Sequence, residues 1–217
     1  MSGSDAPSDF HETVAGIGGR ALADRLRFVT EIDKLKTIIR QTPLLDRSRK
    51  ENDAEHSWHL AMMACVLADH AGPDVDMLRV IRMLLIHDIV EIDAGDTFLY
   101  DTSAAAEAQE EKERLAADRI FGLLPAAQTA EFRALWDEFE AHESADACFA
   151  RAMDRTQPFL HNFLTEGMMW RQHGVQPDQV RKRMSVIADG SPTLHDLVRR
   201  LIDEAESRGY FGAAPNQ

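Results

Sequence analysis

The sequence predicts an all-α protein built as one bundle of seven to nine helices. Three observations lead there. Apolar residues recur at three- and four-residue steps along most of the chain, no stretch alternates convincingly with the period of two that a half-buried strand requires, and no internal repeat is present. The chain has 217 residues and 44% of them are apolar, enough to fill the core of a single domain. That domain is expected over 20–208, with a flexible tail at 1–19 and a second tail at 209–217.

Residues 1–19 are rich in Ser, Gly and Asp and read as a tail. Leu22, Leu26, Val29, Ile32, Leu35 and Ile39 then mark an amphipathic helix that must stop before Pro43. Residues 41–52 read as a charged loop. A second helix begins near Asp53, taken as its N-cap, and carries His56, Trp58, Ala61, Met62, Cys65 and Val66 to Gly72-Pro73, with Trp58 read as a core residue rather than a base-stacking platform. A third, about 75–90, is apolar on most of its circumference and so central. A polar helix near 103–122 follows, ended by Pro125. Phe132, Leu135, Trp136 and Phe139 mark the next, and Phe149, Met153, Leu160 and Phe163 point inward from a long helix over 144–171. Ser191-Pro192 is a cap-and-first-turn pair that starts the last helix, with Leu194, Leu197, Val198, Leu201 and Ile202 along it.

Composition narrows the function. Lys plus Arg is 24 and Asp plus Glu is 37, a net charge of −13 that argues against duplex nucleic acid or an anionic membrane as partner. A small phosphate ester stays open, because a few arginines and a metal make a local positive site. Cys65 and Cys148 are isolated, make no disulfide framework or zinc knuckle, and read as core thiols of a cytoplasmic protein. Neither a secretory leader nor a membrane span is expected.

The chemistry centres on Met83 to Asp96. An apolar helix ends in His87-Asp88, and Glu91, Asp93, Gly95 and Asp96 follow. A charged pair in apolar surroundings costs several kcal/mol unless something pairs with it or binds it. It is either a metal-ligand cluster or a core histidine satisfied by its neighbour. Two more helices offer ligands, His56 with His59 on one and Asp154 on the other. His56, His87, Asp88 and Asp154 together make a set suited to one divalent ion (Mn, Co, Fe, Zn or Mg). Glu91 lies one turn past His87 and faces the same side.

The ordered pattern His56, His87-Asp88 and Asp154 resembles the HD-domain metal-dependent phosphohydrolases. Glu51-Asn52-Asp53-Ala54-Glu55-His56, Leu85 to Asp96, Leu135 to Glu140, Ala152-Met153-Asp154 and Gln157-Pro158 carry the likeness, over roughly 20–205. It is nearest the 5′-deoxynucleotidase-like branch. The resemblance implies that His56, His87, Asp88 and Asp154 hold the metal. Glu91 would orient or deprotonate the attacking water, and Asp96 would assist proton transfer. Arg40 matches a region that grips phosphate, and His59 would either contact the phosphate or support the site. His142 alone lies between the His-Asp pair and Asp154 in the positions where two-metal relatives add histidines, so one metal is expected. His161 and His195 show no ligand-like companions. The implied reaction is hydrolysis of a small phosphomonoester, a deoxyribonucleoside 5′-monophosphate first, by a homodimer. Another phosphate ester, or a metal-containing binding module with little turnover, is the alternative.

Overall fold

The structure, a computed structural model, describes residues 9–96 and 106–212. Helices dominate: α1 (Phe10–Gly18), α2 (Arg20–Glu31), α3 (Asp53–Val66), α4 (Met77–Ile86), α5 (Glu91–Ala94), α6 (Ala106–Phe121), α7 (Ala126–Ala141), α8 (Ala145–Leu164), α9 (Met168–Gln172), α10 (Pro177–Met184), α11 (Ile187–Gly190) and α12 (Pro192–Ser207). Two short strands, β1 (Ile39–Pro43) and β2 (Lys50–Asn52), pair antiparallel. The expected starts and ends near 1–8, 103 and 213–217 lie outside the described residues.

Helix α8 is the axis. Phe149, Ala152, Met153, Gln157 and Phe159 are fully or almost fully buried, against Leu60 of α3, Val80, Met83 and Leu84 of α4, and Leu135 and Phe139 of α7. Each large side chain so buried contributes about 1.5–3 kcal/mol. On the other side α11 comes so close that a Cβ on Gly190 would lie 2.2 Å from the Cys148 carbonyl oxygen. Only glycine admits that approach.

Six expectations are corrected. The helix expected over 22–39 ends at Glu31, turns through a 3₁₀ segment at Ile32–Thr37, and continues as β1. The pair of β-branched residues Ile38-Ile39 ahead of Pro43 favours extended backbone. The expected loop 41–52 is thus a hairpin, closed by Leu44 N–H to Arg49 O at 2.9 Å. Its strands are too short and too bulged to show a period of two. Burial follows suit: Ala23, Phe28 and Leu35 face the core, while Leu22, Val29 and Ile39 are about half exposed.

Residues 10–18 of the expected N-terminal tail form α1, with Phe10 and Val14 half-buried at a four-residue step beside α2. Residues 209–212 of the expected C-terminal tail are docked rather than free. Phe211 stacks on Trp170 with ring centroids 4.7 Å apart, and Tyr210 meets Phe163 at 5.8 Å. The long helix expected over 144–171 breaks after Leu164. Glu166 and Gly167 take left-handed backbone, and Gly167 N–H returns to Asn162 O at 2.7 Å. Finally, the cap of α3 is Asn52, not Asp53. Asn52 Oδ1 accepts from Glu55 N–H and the Glu55 carboxylate accepts from Asn52 N–H.

The core roles expected of Trp58 and Cys65 also fail. Trp58 is 63% exposed, and Met62, Cys65 and Val66 are exposed on the same face of α3. Among the described residues no helix is long and apolar enough to cross a membrane.

Candidate metal centre

Three elements bring the expected ligands together. The capping box starts α3 and sets His56 one turn inside it. Helix α4 stops at Ile86, and a 3₁₀ turn over His87–Val90 tightens the chain so that His87 and Asp88 both face inward. Asp154 comes from the middle of α8. All four are buried. Candidate ligand atoms of His56, His87 and Asp154 lie within 4.8 Å of one another. His56 Nε2 is 3.2 Å and His87 Nε2 3.8 Å from Asp154 Oδ1. Asp88 stands beside them, Oδ1 3.0 Å from His87 Nε2 and Oδ2 3.8 Å from His56 Nε2.

Both imidazoles are aimed by their outer nitrogens. His87 Nδ1–H donates to Leu84 O at 2.9 Å, and His56 Nδ1 faces Gln157 Oε1 at 3.2 Å. That leaves Nε2 of each ring toward the centre. The Phe139 ring backs His87 at 4.9 Å, and Trp136 Nε1–H donates to the His87 carbonyl at 3.2 Å.

The centre attracts positive charge. Burial works against a charged His87, yet Asp88 and Asp154 hold its proton and push it up to about 10. Burial would raise Asp88, but His87 and Arg40 bring it down to about 2. Asp154 is held well below the usual carboxylate range, with Arg155 and the two histidines outweighing burial.

A second group of carboxylates adjoins the first. Asp53, Glu91 and Asp96 also have candidate ligand oxygens within 4.8 Å of one another. Glu91 begins α5, and Asp96 follows Gly95, whose φ of +80° makes the turn. Arg40, on β1, sits among them. Its Nη1 lies 2.8 Å from Asp88 Oδ2, 3.0 Å from Asp53 Oδ1 and 3.7 Å from Asp96 Oδ1, and its Nε lies 3.7 Å from Glu51 Oε1. Burial, then Asp88 and Asp53, push the Glu91 carboxyl well above its ordinary value. Burial and Asp88 raise Asp53 to about 6, and burial raises Asp96. Glu91 Oε2 is buried with no hydrogen-bond partner among the described residues.

The structure thus gathers His56, His87, Asp88 and Asp154 in one group, sets Glu91 and Asp96 in a neighbouring one, and bridges the two with Arg40. His59 is elsewhere. Its contacts are Gln157 Nε2 at 3.3 Å from its Nδ1 and the His161 ring at 5.5 Å, so it stands behind His56 as support. His161 has companions after all, in His59 and Gln157. Glu51, Asp53 and His161 were not singled out from sequence. The available signal was position: His161 follows Gln157 by one helical turn, and Gln157 follows Asp154 by three residues. Near His87, Glu140 is pushed up to about 7 by burial and by Glu113, against the pull of Arg151. His142, with Arg151 Nη1 3.3 Å from its Nδ1, is not among the gathered ligands.

The residues fit a divalent cation. His87 Nε2 is buried without a well-aligned hydrogen bond among the described residues, and Nε2 of both rings faces carboxylates held ionised. Two imidazoles with two carboxylates suit a borderline or hard ion and leave coordination positions for water and substrate.

The chain is similar to known proteins over most of its length. The model of the HD-domain family matches residues 32–195. The 5′-deoxynucleotidase HDDC2 of Bos taurus is 30% identical over 149 residues, 68% of this chain and 70% of that one. The Homo sapiens 5′-deoxynucleotidase HDDC2 is 30% identical over 150 residues, with the same coverage. A crystal structure described as a predicted metal-dependent phosphohydrolase, from Magnetospirillum magnetotacticum MS-1, superposes with a TM-score of 0.86 at 57% identity and covers 90% of this chain and 97% of that one. Spaced ligands, helical bundle and family match coincide, and the chain belongs to the HD-domain family.

Proposed function

We propose that the chain is a phosphohydrolase that uses one divalent metal ion to release phosphate from a deoxyribonucleoside 5′-monophosphate. The observation that carries the chemistry is the buried group of His56, His87 and Asp154, with Asp88 beside it, in which Nε2 of both imidazoles faces the two carboxylates. The relatives named 5′-deoxynucleotidase support the choice of substrate.

His56, His87, Asp88 and Asp154 would hold the ion. Bound there, a divalent ion supplies Lewis acidity toward phosphoryl oxygen and lowers the pKa of water. The chain's own residues do the rest. Glu91 offers a buried carboxylate oxygen with no other partner among the described residues, one turn past His87, and its raised pKa suits it to take up the proton of the attacking water. Asp96, also raised, returns a proton to the leaving 5′-oxygen. Arg40 stands beside the metal group with its Nη1 on Asp88, and its other N–H groups would grip the phosphate. His59 supports His56 through Gln157 rather than touching substrate.

The exposed row Trp58, Met62, Cys65 and Val66 on α3 fits an interface with a second copy of the chain. Unpaired Cys65 and Cys148 suit a reducing cytoplasm.

The substrate is tested with phosphate esters. Release from deoxyribonucleoside 5′-monophosphates, and not from ribonucleoside 5′-monophosphates, 3′-monophosphates, a triphosphate, a cyclic dinucleotide or a sugar phosphate, is expected. Faster release from another ester would keep the chemistry and overturn the substrate.

A further inference from the structure

We propose that Gln157 is the positioning residue that fixes His56 for metal binding and, through the same amide, fastens the Arg40 hairpin to the metal centre; this rests on the metal-site reading above. Gln157 is fully buried on α8, three residues after Asp154. Its Oε1 lies 3.2 Å from His56 Nδ1. Its Nε2 lies 2.9 Å from Glu51 Oε2, 3.1 Å from His161 Nε2 and 3.3 Å from His59 Nδ1.

These contacts fix which way the amide faces. Reversed, its carbonyl oxygen would meet the Glu51 carboxylate, acceptor against acceptor, with both side chains buried. Glu51 therefore holds the NH₂ on its side and the oxygen on the His56 side. An oxygen there accepts the Nδ1–H of His56, which leaves Nε2 as the metal-binding atom. Glu51 Oε1, 3.6 Å from the same Nδ1, reinforces that protonation.

The second N–H of the amide leads to the hairpin. His161 Nδ1–H donates to Pro43 O at 2.9 Å, so His161 Nε2 is free to accept from Gln157. Pro43 closes β1, the strand that carries Arg40, and Glu51 lies on β2. One amide thus touches a metal ligand on α3 and ties to both strands of the hairpin. Phosphate grip and metal ligand are held in register by a residue that touches neither metal nor phosphate.

The test pairs Gln157→Leu with His161→Phe and reads metal affinity by competition with a chromogenic chelator, independent of turnover. Gln157→Leu removes the acceptor for His56, and a 10–100-fold loss of metal affinity is expected. His161→Phe removes the link from Gln157 through His161 to Pro43 and leaves the Gln157 contacts to His56 and Glu51 in place. It should leave metal affinity within about twofold and raise KM for a nucleoside 5′-monophosphate several-fold. Native metal affinity in Gln157→Leu would overturn the proposal, and so would an unchanged KM in His161→Phe. If Gln157→Leu does not fold, ring ¹⁵N–¹H correlations of the zinc-loaded unaltered chain decide. A protonated His56 Nδ1 supports the role, and zinc on Nδ1 refutes it. An unaltered chain that binds no metal would refute the metal-site reading itself and this role with it, whereas unaltered binding with an unaffected Gln157→Leu would refute this role alone.

Discussion

Replacing Arg40 by methionine removes the cation from a nest of carboxylates and keeps most of the side chain's bulk. The guanidinium stands 2.8 Å from Asp88, 3.0 Å from Asp53 and 3.7 Å from both Asp96 and Glu51, and only 13% of the side chain is exposed. Taking one partner from a buried ion pair costs about 3–5 kcal/mol, chiefly because the remaining charge is left uncompensated. For a domain of this size about 1 kcal/mol moves Tm by about 2–4 °C, so the metal-free Arg40→Met chain should melt about 6–20 °C below the unaltered chain. A divalent ion bound at the adjacent group restores positive charge. Added metal should therefore raise Tm more in Arg40→Met than in the unaltered chain. Thermal unfolding with and without metal, by circular dichroism, reads both effects. A metal-free Tm within about 2 °C of the unaltered chain would refute the claim that Arg40 neutralises this nest.

Three more outcomes are expected. Glu91→Gln should keep its metal in a chelator assay while kcat falls about 10²–10⁴-fold, and near-normal kcat would end the assignment of Glu91 as base. Asp53 holds a proton up to about 6 in the folded chain but only to 3.8 in the unfolded one, so between these values the folded state binds more protons and stability falls as pH rises. That rise of about two pH units corresponds to about 3 kcal/mol, and metal-free Asp53→Asn should gain up to about that much relative to the unaltered chain between pH 4 and pH 7 in urea unfolding. An equal difference at both pH values would contradict it. Trp58→Glu should turn a dimer into a monomer in sedimentation velocity without loss of helicity; an unaltered chain that is already monomeric would remove the interface.

The helical elements that carry ligands were legible because their apolar spacing is regular. His87-Asp88 at the end of an apolar helix and Asp154 between inward-facing neighbours stand out against that pattern. The hairpin was not legible. Its strands hold five and three residues, they are bulged, and Leu35 and Ile39 extend the spacing of the helix before them. Consequently the place of Arg40 among the acids could not be read, although its involvement could. Asp53 reads as a cap because Asp is a good cap, and only the competing Asn52–Glu55 box releases it into the acidic group. Gln157 and His161 look like ordinary helix residues until folding sets them against β1 and β2, 106 residues away in the case of Glu51. Burial of Trp58 was expected from residue type alone, and residue type does not tell a core face from an interface.

The central claim is that His56, His87, Asp88 and Asp154 hold a metal on which phosphate release depends. The most direct measurement strips the chain of metal, titrates in cobalt or manganese by calorimetry, and follows phosphate release from a deoxyribonucleoside 5′-monophosphate at each point, in the unaltered chain and in His87→Ala. The account predicts one ion per chain and release that rises in step with loading, with both lost in His87→Ala. Full release from the metal-free chain, or undiminished metal binding by His87→Ala, would contradict it.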